Sequence, residues 1–233
     1  MIHLTTCTAH ILDEFGHSLM QKYRSSLHSF EEAARSSVKE IYEEFREPAG
    51  QPTFALVRIY RLCQYKQLLP ELKALSDPGV PQWMALMGTI GTEKAWCDRH
   101  TSQGHKVIPA AGNYSPMLKA AFEQIGFDKM APVGKEQTDS LAMRDAEMFT
   151  SYFYVPNALG SPFIPAQREF VEPYHIRSVV GLGSPFLSSA IYLALCFSLV
   201  PIDEATAQKF AELSSYISTL LAIYDEGGTI WAA

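Results

Sequence analysis

The chain is short of basic residues, of paired cysteines and of long apolar runs, and each shortage excludes something. Nineteen Lys and Arg stand against 25 Asp and Glu, a net charge of −6. That leaves no cationic footprint for a nucleic-acid backbone and no basic face for an anionic membrane. The four cysteines, Cys7, Cys63, Cys97 and Cys196, form no C-x-x-C pair. They read as reduced thiols of an intracellular protein, not as a disulfide framework. The most hydrophobic stretch, 191–202, is far below the ~20 residues needed to cross a bilayer. No basic segment leads into an apolar run at the N-terminus, so no secretory signal is expected and a cytoplasmic protein is the default. Internal repeats and low-complexity tracts are absent as well.

What is there suits one large domain, with or without an added subdomain. The 233 residues are 47% hydrophobic, which is enough to bury a sizeable core. The most organised stretch is 174–224. A β-branched run at 178–180 is followed by Gly181, Gly183 and Pro185, and a second apolar run covers 191–200. Two short apolar runs joined by small turn residues predict a hairpin. Pro201 ends the second strand and Asp203 is placed to cap a helix. Phe210, Leu213, Ile217, Leu220, Leu221 and Tyr224 then recur at threes and fours, one face of an amphipathic helix.

The earlier chain supplies more of the same kinds of element. Apolar spacing predicts helices over about 10–27 and 30–46, with Ser29 and Glu32 as a capping box between them. Residues 53–62 predict a strand, with Phe54, Leu56, Arg58 and Tyr60 on one face and Ala55, Val57, Ile59 and Arg61 on the other. Trp83 to Met87 predicts a second strand, 88–91 a turn, 92–101 a short helix and 105–109 a short strand. Ser115 and Pro116 open a further helix reaching Ile125. Residues 127–145 lack pattern and read as a long loop or mobile insert. Residues 149–155 predict a strand, and 166–171 a short helix closed by Pro173.

This order resembles the GAF domain, the sensory α/β module of signalling proteins. The segment Tyr174-His175-Ile176-Arg177-Ser178-Val179-Val180 resembles the GAF passage in which a short helix leads through G-I-R-S into the penultimate strand. The stretches 191–201 and 210–224 resemble the last strand and the closing helix. Gly88, Gly91, Ala95 and Gly104-His105-Lys106-Val107-Ile108 are similar to the central G-x-x-G…A…G-x-x-V stretch. The likeness spans about 30–225. It implies an α/β (α+β) fold, with an antiparallel sheet of about six strands, helices on its faces and an extra N-terminal helix. Domain boundaries follow as a helical extension over 1–28 and a sensory domain over 29–233. The chain departs from the family in its long middle insert. It also lacks the Cys-His and Asp-x-Cys-Phe motifs that hold a bilin, and the cyclic-nucleotide signature Asn-Lys-x-x-x-Phe-x-x-x-Asp-Glu. No cofactor is therefore named.

The resemblance implies a ligand face between the sheet and its short helices. Trp83, Trp96, Cys97, Tyr152, Tyr154, Tyr174 and His175 are the residues expected to approach it. Aromatic rings with polar tips suit a small planar or apolar ligand, and they serve ordinary packing equally well. Cys97 and His100, at i and i+3 of the expected helix, would share a face with His105 nearby. No spacing there matches a known closed metal site, so no metal is assigned. GAF-like methionine-sulfoxide reductases use several cysteines in this region, where this chain has Cys97 alone. No carboxylates are paired for acid–base work. A non-enzymatic sensor is the resulting expectation, with a small redox or metal enzyme built on Cys97, His100 and His105 as its rival. A ligand-free dimerisation module is the third reading. No output domain is visible after Tyr224, so the signal is expected to leave through a partner or the rest of a longer protein. The stripe Phe15, Leu19, Tyr23 and Leu27 has no evident core partner, which predicts a homodimer through the terminal helices.

Overall fold

Local chemistry sets most helix ends in the computed structural model, which describes residues 1–102, 104–110, 115–127 and 152–232. Helix α1, Ala9–Tyr23, begins where the Thr8 side chain accepts from the Ile11 N–H. Helix α2, Phe30–Glu44, begins where Ser29 accepts from Glu32. The reciprocal bond of the expected box is displaced by one residue: the Glu32 carboxylate accepts from the backbone N–H of His28. Asp203 caps α5, Glu204–Ala211, as expected, by accepting from Thr206. The closing helix is two segments, because the chain breaks at Glu212 before α6, Leu213–Glu226. Ser115 and Pro116 start α4, Pro116–Ile125, and Gly126 ends it in the left-handed conformation that glycine adopts without a Cβ penalty. One further short helix, α3, covers Pro70–Lys73.

Six strands form one antiparallel sheet: β1 (Phe54–Gln64), β2 (Gln82–Gly91), β3 (Val107–Pro109), β4 (Tyr152–Val155), β5 (Ser178–Pro185) and β6 (Ile191–Ser198). Their order is β3-β2-β1-β6-β5-β4. The expected fold is thus the observed one. The register carries two irregularities. One lies between Phe54 and Leu56 and the other between Ile59 and Tyr60. A bulge shifts the alternation of side chains by one. Phe54 therefore packs with Val57 and Ile59, and Ala55 with Leu56, the reverse of the simple alternation expected for those two.

Three local expectations are corrected. Residues 88–91 are strand and not turn. A Cβ on Gly88 would stand 2.7 Å from the Ala34 carbonyl oxygen, so glycine is there to let α2 lie directly on β2. Gly181 and Gly183 likewise sit inside β5, where a Cβ would meet the Ala194 carbonyl at 2.9 Å and Ile125 and Phe127 at 3.0 Å. The hairpin turns later, through 186–190, with Ser189 at φ 65. The helix expected over 92–101 is only a 3-10 turn, Lys94–Trp96, followed by irregular chain. The mobile insert expected over 127–145 lies, beyond Phe127, outside the described residues.

The two faces of the sheet carry separate cores. The helical face is covered by α1, α2, α5 and α6. The opposite face is covered by α4, the 92–102 segment and a π-helical turn at Gln167–Val171. Helix α1 is part of the first core. Leu12, Phe15 and Leu19 are buried, and the Phe15 ring meets Phe45 edge-on at 5.4 Å. The Tyr224 hydroxyl donates to the Tyr23 carbonyl, tying α6 to the end of α1. The stripe that prompted a two-fold mate is therefore covered within the chain, and the proposed boundary at residue 28 falls inside one continuous core.

Candidate functional site

The seven residues expected at one ligand face divide between the two. Trp96 and Tyr174 stand together on the face opposite the helices, their ring centroids 4.5 Å apart. Phe170 joins them, 5.6 Å from Trp96 and 5.0 Å from Phe197 of β6. Trp83 lies on the helical face, where its indole N–H donates to the Val80 carbonyl. Tyr152 and Tyr154 also pack against the helical core, and the Tyr154 hydroxyl donates to the Ile202 carbonyl. Strand alternation explains this: Phe153 and Val155 take the opposite face, which leaves Tyr152 and Tyr154 none of it. Cys97 and His175 are exposed, and His175 adopts a positive φ of 55 four residues past the π-helical turn.

The Cys97, His100 and His105 set does not converge. Without a helix at 97–100 the i, i+3 relation has no shared face. The Cys97 thiol donates at 3.5 Å to the Gly91 and Glu93 carbonyls. Asp98 accepts from the His100 backbone N–H at 2.7 Å. Among the described residues, no three His, Cys, Asp or Glu side chains stand close enough to hold a metal ion.

A different group occupies the middle of this face, and sequence reasoning passed over it. Arg58 extends from the central strand β1 and is 7% exposed. Its guanidinium donates to the Ser102 hydroxyl at 2.9 Å and to the Tyr60 hydroxyl at 3.3 Å. Its Nε–H has no partner, and no carboxylate stands within ion-pair reach among the described residues. Desolvation and the nearby Arg58 charge both lower the pKa of His105. His105 is exposed by area, so the Arg58 charge is the firmer of these causes. The available signal was an arginine alternating with Leu56 and Tyr60 in an apolar strand, since burying a charge is costly unless it is compensated. Thr89 stands opposite Arg58 on β2 and donates at 2.8 Å to the Trp96 carbonyl.

The segment that supplies Ser102 is anchored to the other side of the molecule through Arg99. Arg99 pairs with Glu31 of α2 at 2.9 Å and with Glu71 of α3 at 3.0 Å. Its guanidinium also lies 5.1 Å from the Trp231 ring. The second oxygen of Glu31 accepts from the Ala232 N–H.

No protein-family model and no curated protein matches the sequence. Solved structures do match in fold. A free methionine-R-sulfoxide reductase from Neisseria meningitidis, in complex with its substrate, superposes with a TM-score of 0.54 at 10% identity, covering 97% of this chain and 98% of that one. The GAF domain of a phosphoenolpyruvate-protein phosphotransferase from Coxiella burnetii gives 0.52 at 10% identity, over 96% and 100% of the two chains. The corresponding domain from Acinetobacter gives 0.50 at 12%, over 97% and 100%. The reductase corrects the expectation of a non-enzyme. A reductase and the GAF domains of two phosphotransferases share this architecture over nearly the whole chain, so the fold does not separate catalysis from sensing. With six antiparallel strands in one sheet, terminal helices on one face and short segments on the other, the chain has the GAF-like fold.

Proposed function

We propose that the chain is a regulatory domain that binds a small molecule on the Arg58 face of its sheet and passes the event to its terminal elements. The observation that carries this reading is the 92–102 segment. Ser102 of that segment bonds Arg58 on one side of the sheet, and Arg99, three residues earlier, is held by α2 and the C-terminal Trp231 on the other. A ligand that engages Arg58 and Ser102 would therefore act on the segment that carries the anchors of Arg99. The test is a melting screen of small metabolites, followed by hydrogen exchange on any stabilising compound. A ligand that binds this domain should raise the melting temperature with concentration and change exchange in α2 and in 227–232. Stabilisation with no change in those segments would remove the relay. Failure of every compound to stabilise would remove the sensing.

Cys97 supports a second reading as a thiol enzyme, because it is the exposed cysteine and lies in the same segment. Turnover of free methionine sulfoxide with an external dithiol, abolished in C97S, would establish it. Equal rates for wild type and C97S would exclude Cys97 as the nucleophile.

A further inference from the structure

We propose that Arg58, Tyr60 and Ser102 form a receptor for the carboxylate of a small monoanionic ligand with an apolar body. This rests on the small-molecule reading above and names the ligand class. A guanidinium carries five N–H donors and no acceptor, so every group it touches here must accept from it. The Tyr60 and Ser102 hydroxyls both do so. Each then has its own hydrogen to give, and no acceptor takes it among the described residues. The unpartnered Nε–H adds another donor. A buried positive charge, two hydroxyl hydrogens and the three N–H groups left on the guanidinium thus gather at one place, with no anion among the described residues to receive them. Buried charges are usually paired, so the missing partner is an anion from outside the described chain.

The charge count selects the class. A monocarboxylate brings one negative charge to one guanidinium and matches its planar geometry. A phosphate dianion would leave a second charge uncompensated in a buried site. The neighbouring surface selects the rest of the ligand. Trp96, Phe170 and Tyr174 form an aromatic wall on the same face of the sheet, and Thr89, the register partner of Arg58, donates to the Trp96 carbonyl. Such a wall suits an aryl or branched alkyl body.

The experiment measures melting of the full chain with acetate, isovalerate, phenylacetate, inorganic phosphate and the neutral analogue phenylacetamide. Wild type should be stabilised by the carboxylates, increasingly from acetate to phenylacetate, and not by phenylacetamide or phosphate. Arg58→Met should lose the phenylacetate response. Without ligand, Arg58→Met should melt no lower than wild type, because a flexible apolar chain replaces an unpaired buried charge. A much lower melting point for unliganded Arg58→Met would make Arg58 a structural cation and overturn the proposal. So would equal phenylacetate responses in both proteins, or a phosphate response without a carboxylate one. If phenylacetamide stabilises wild type as well as phenylacetate does, the anion receptor fails while small-molecule binding stands. If no carboxylate and no other metabolite in the wider screen stabilises wild type, both fail.

Discussion

Three of the four cysteines are buried on the helical face, and burial is what governs them. Desolvation raises the thiol pKa of Cys7 against the lowering effect of Lys209. It raises that of Cys63 despite the adjacent Arg61, and it raises that of Cys196 with nothing opposing it. Thiols held protonated and out of reach are poor nucleophiles, since the thiolate is the reactive form. Cys97 alone is exposed, and its contacts are two carbonyl acceptors. A disulfide-exchange reagent should therefore label one thiol rapidly in the native protein and three more only on unfolding. Cys97→Ser should remove the fast phase. A second fast equivalent in the native protein would mean that one buried face opens readily, contrary to the packing described here.

At the scale of elements, the closest approach joins α1 to α6. A Cβ on Gly16 would lie 2.3 Å from a carbon of the Tyr216 ring. The Tyr216 hydroxyl also bonds Asp13 one turn earlier on α1, so the ring is held at both ends. Two effects compete in Gly16→Ala. Relief of glycine's backbone entropy in a helix interior favours alanine by about 0.5–1 kcal/mol. Overlap with a fixed ring opposes it by about 1–3 kcal/mol. The overlap should win, because the obstructing atoms are at the base of the ring and not at the far end of a flexible chain. Gly16→Ala should lower stability by about 1 kcal/mol in denaturant titration. In a Tyr216→Ala background the same change should become neutral or favourable, a coupling that a double-mutant cycle reads directly. An increase in stability from Gly16→Ala alone would show that α1 and α6 are not in close contact. The same chemistry explains why glycines at 88, 181 and 183 misled local reading. Each looks like turn punctuation along the chain, and each marks a strand position where another element comes too close for a side chain.

Across the whole molecule, β1 carries two buried arginines on opposite faces, with opposite fates. Arg58 meets hydroxyls alone. Arg61 meets the Asp225 carboxylate of α6, with side chains 4% and 0% exposed. Ser188, from the β5–β6 turn, donates to the other oxygen of Asp225. This arrangement ties the central strand, the last helix and the hairpin turn at one point. Removing one partner from such a pair leaves a buried charge unmatched and costs about 3–5 kcal/mol. That is a large share of a typical folding stability of about 5–15 kcal/mol. Asp225→Ala should therefore lower the melting temperature severely, and Arg61→Met combined with Asp225→Ala should recover much of the loss. A mild effect of Asp225→Ala would mean that α6 is not anchored through this ion pair.

The sequence by itself determined most element kinds and several of their ends, because these follow from neighbours along the chain. Asp203, Ser29 and Ser115 cap the helices they precede, and apolar runs mark β1 and β6. Only the tertiary structure decided which face each side chain reaches. The register shifts where β1 meets β2 and β6 depend on that pairing, which is non-local. For the same reason Trp83, Tyr152 and Tyr154 left the expected ligand face while Trp96 and Tyr174 met on it. The contrast between Arg58 and Arg61 is also a tertiary fact. Whether a buried charge is paired depends on what the rest of the fold brings within a few ångströms, and here α6 brings Asp225 to one face, while the described chain brings no carboxylate to the other.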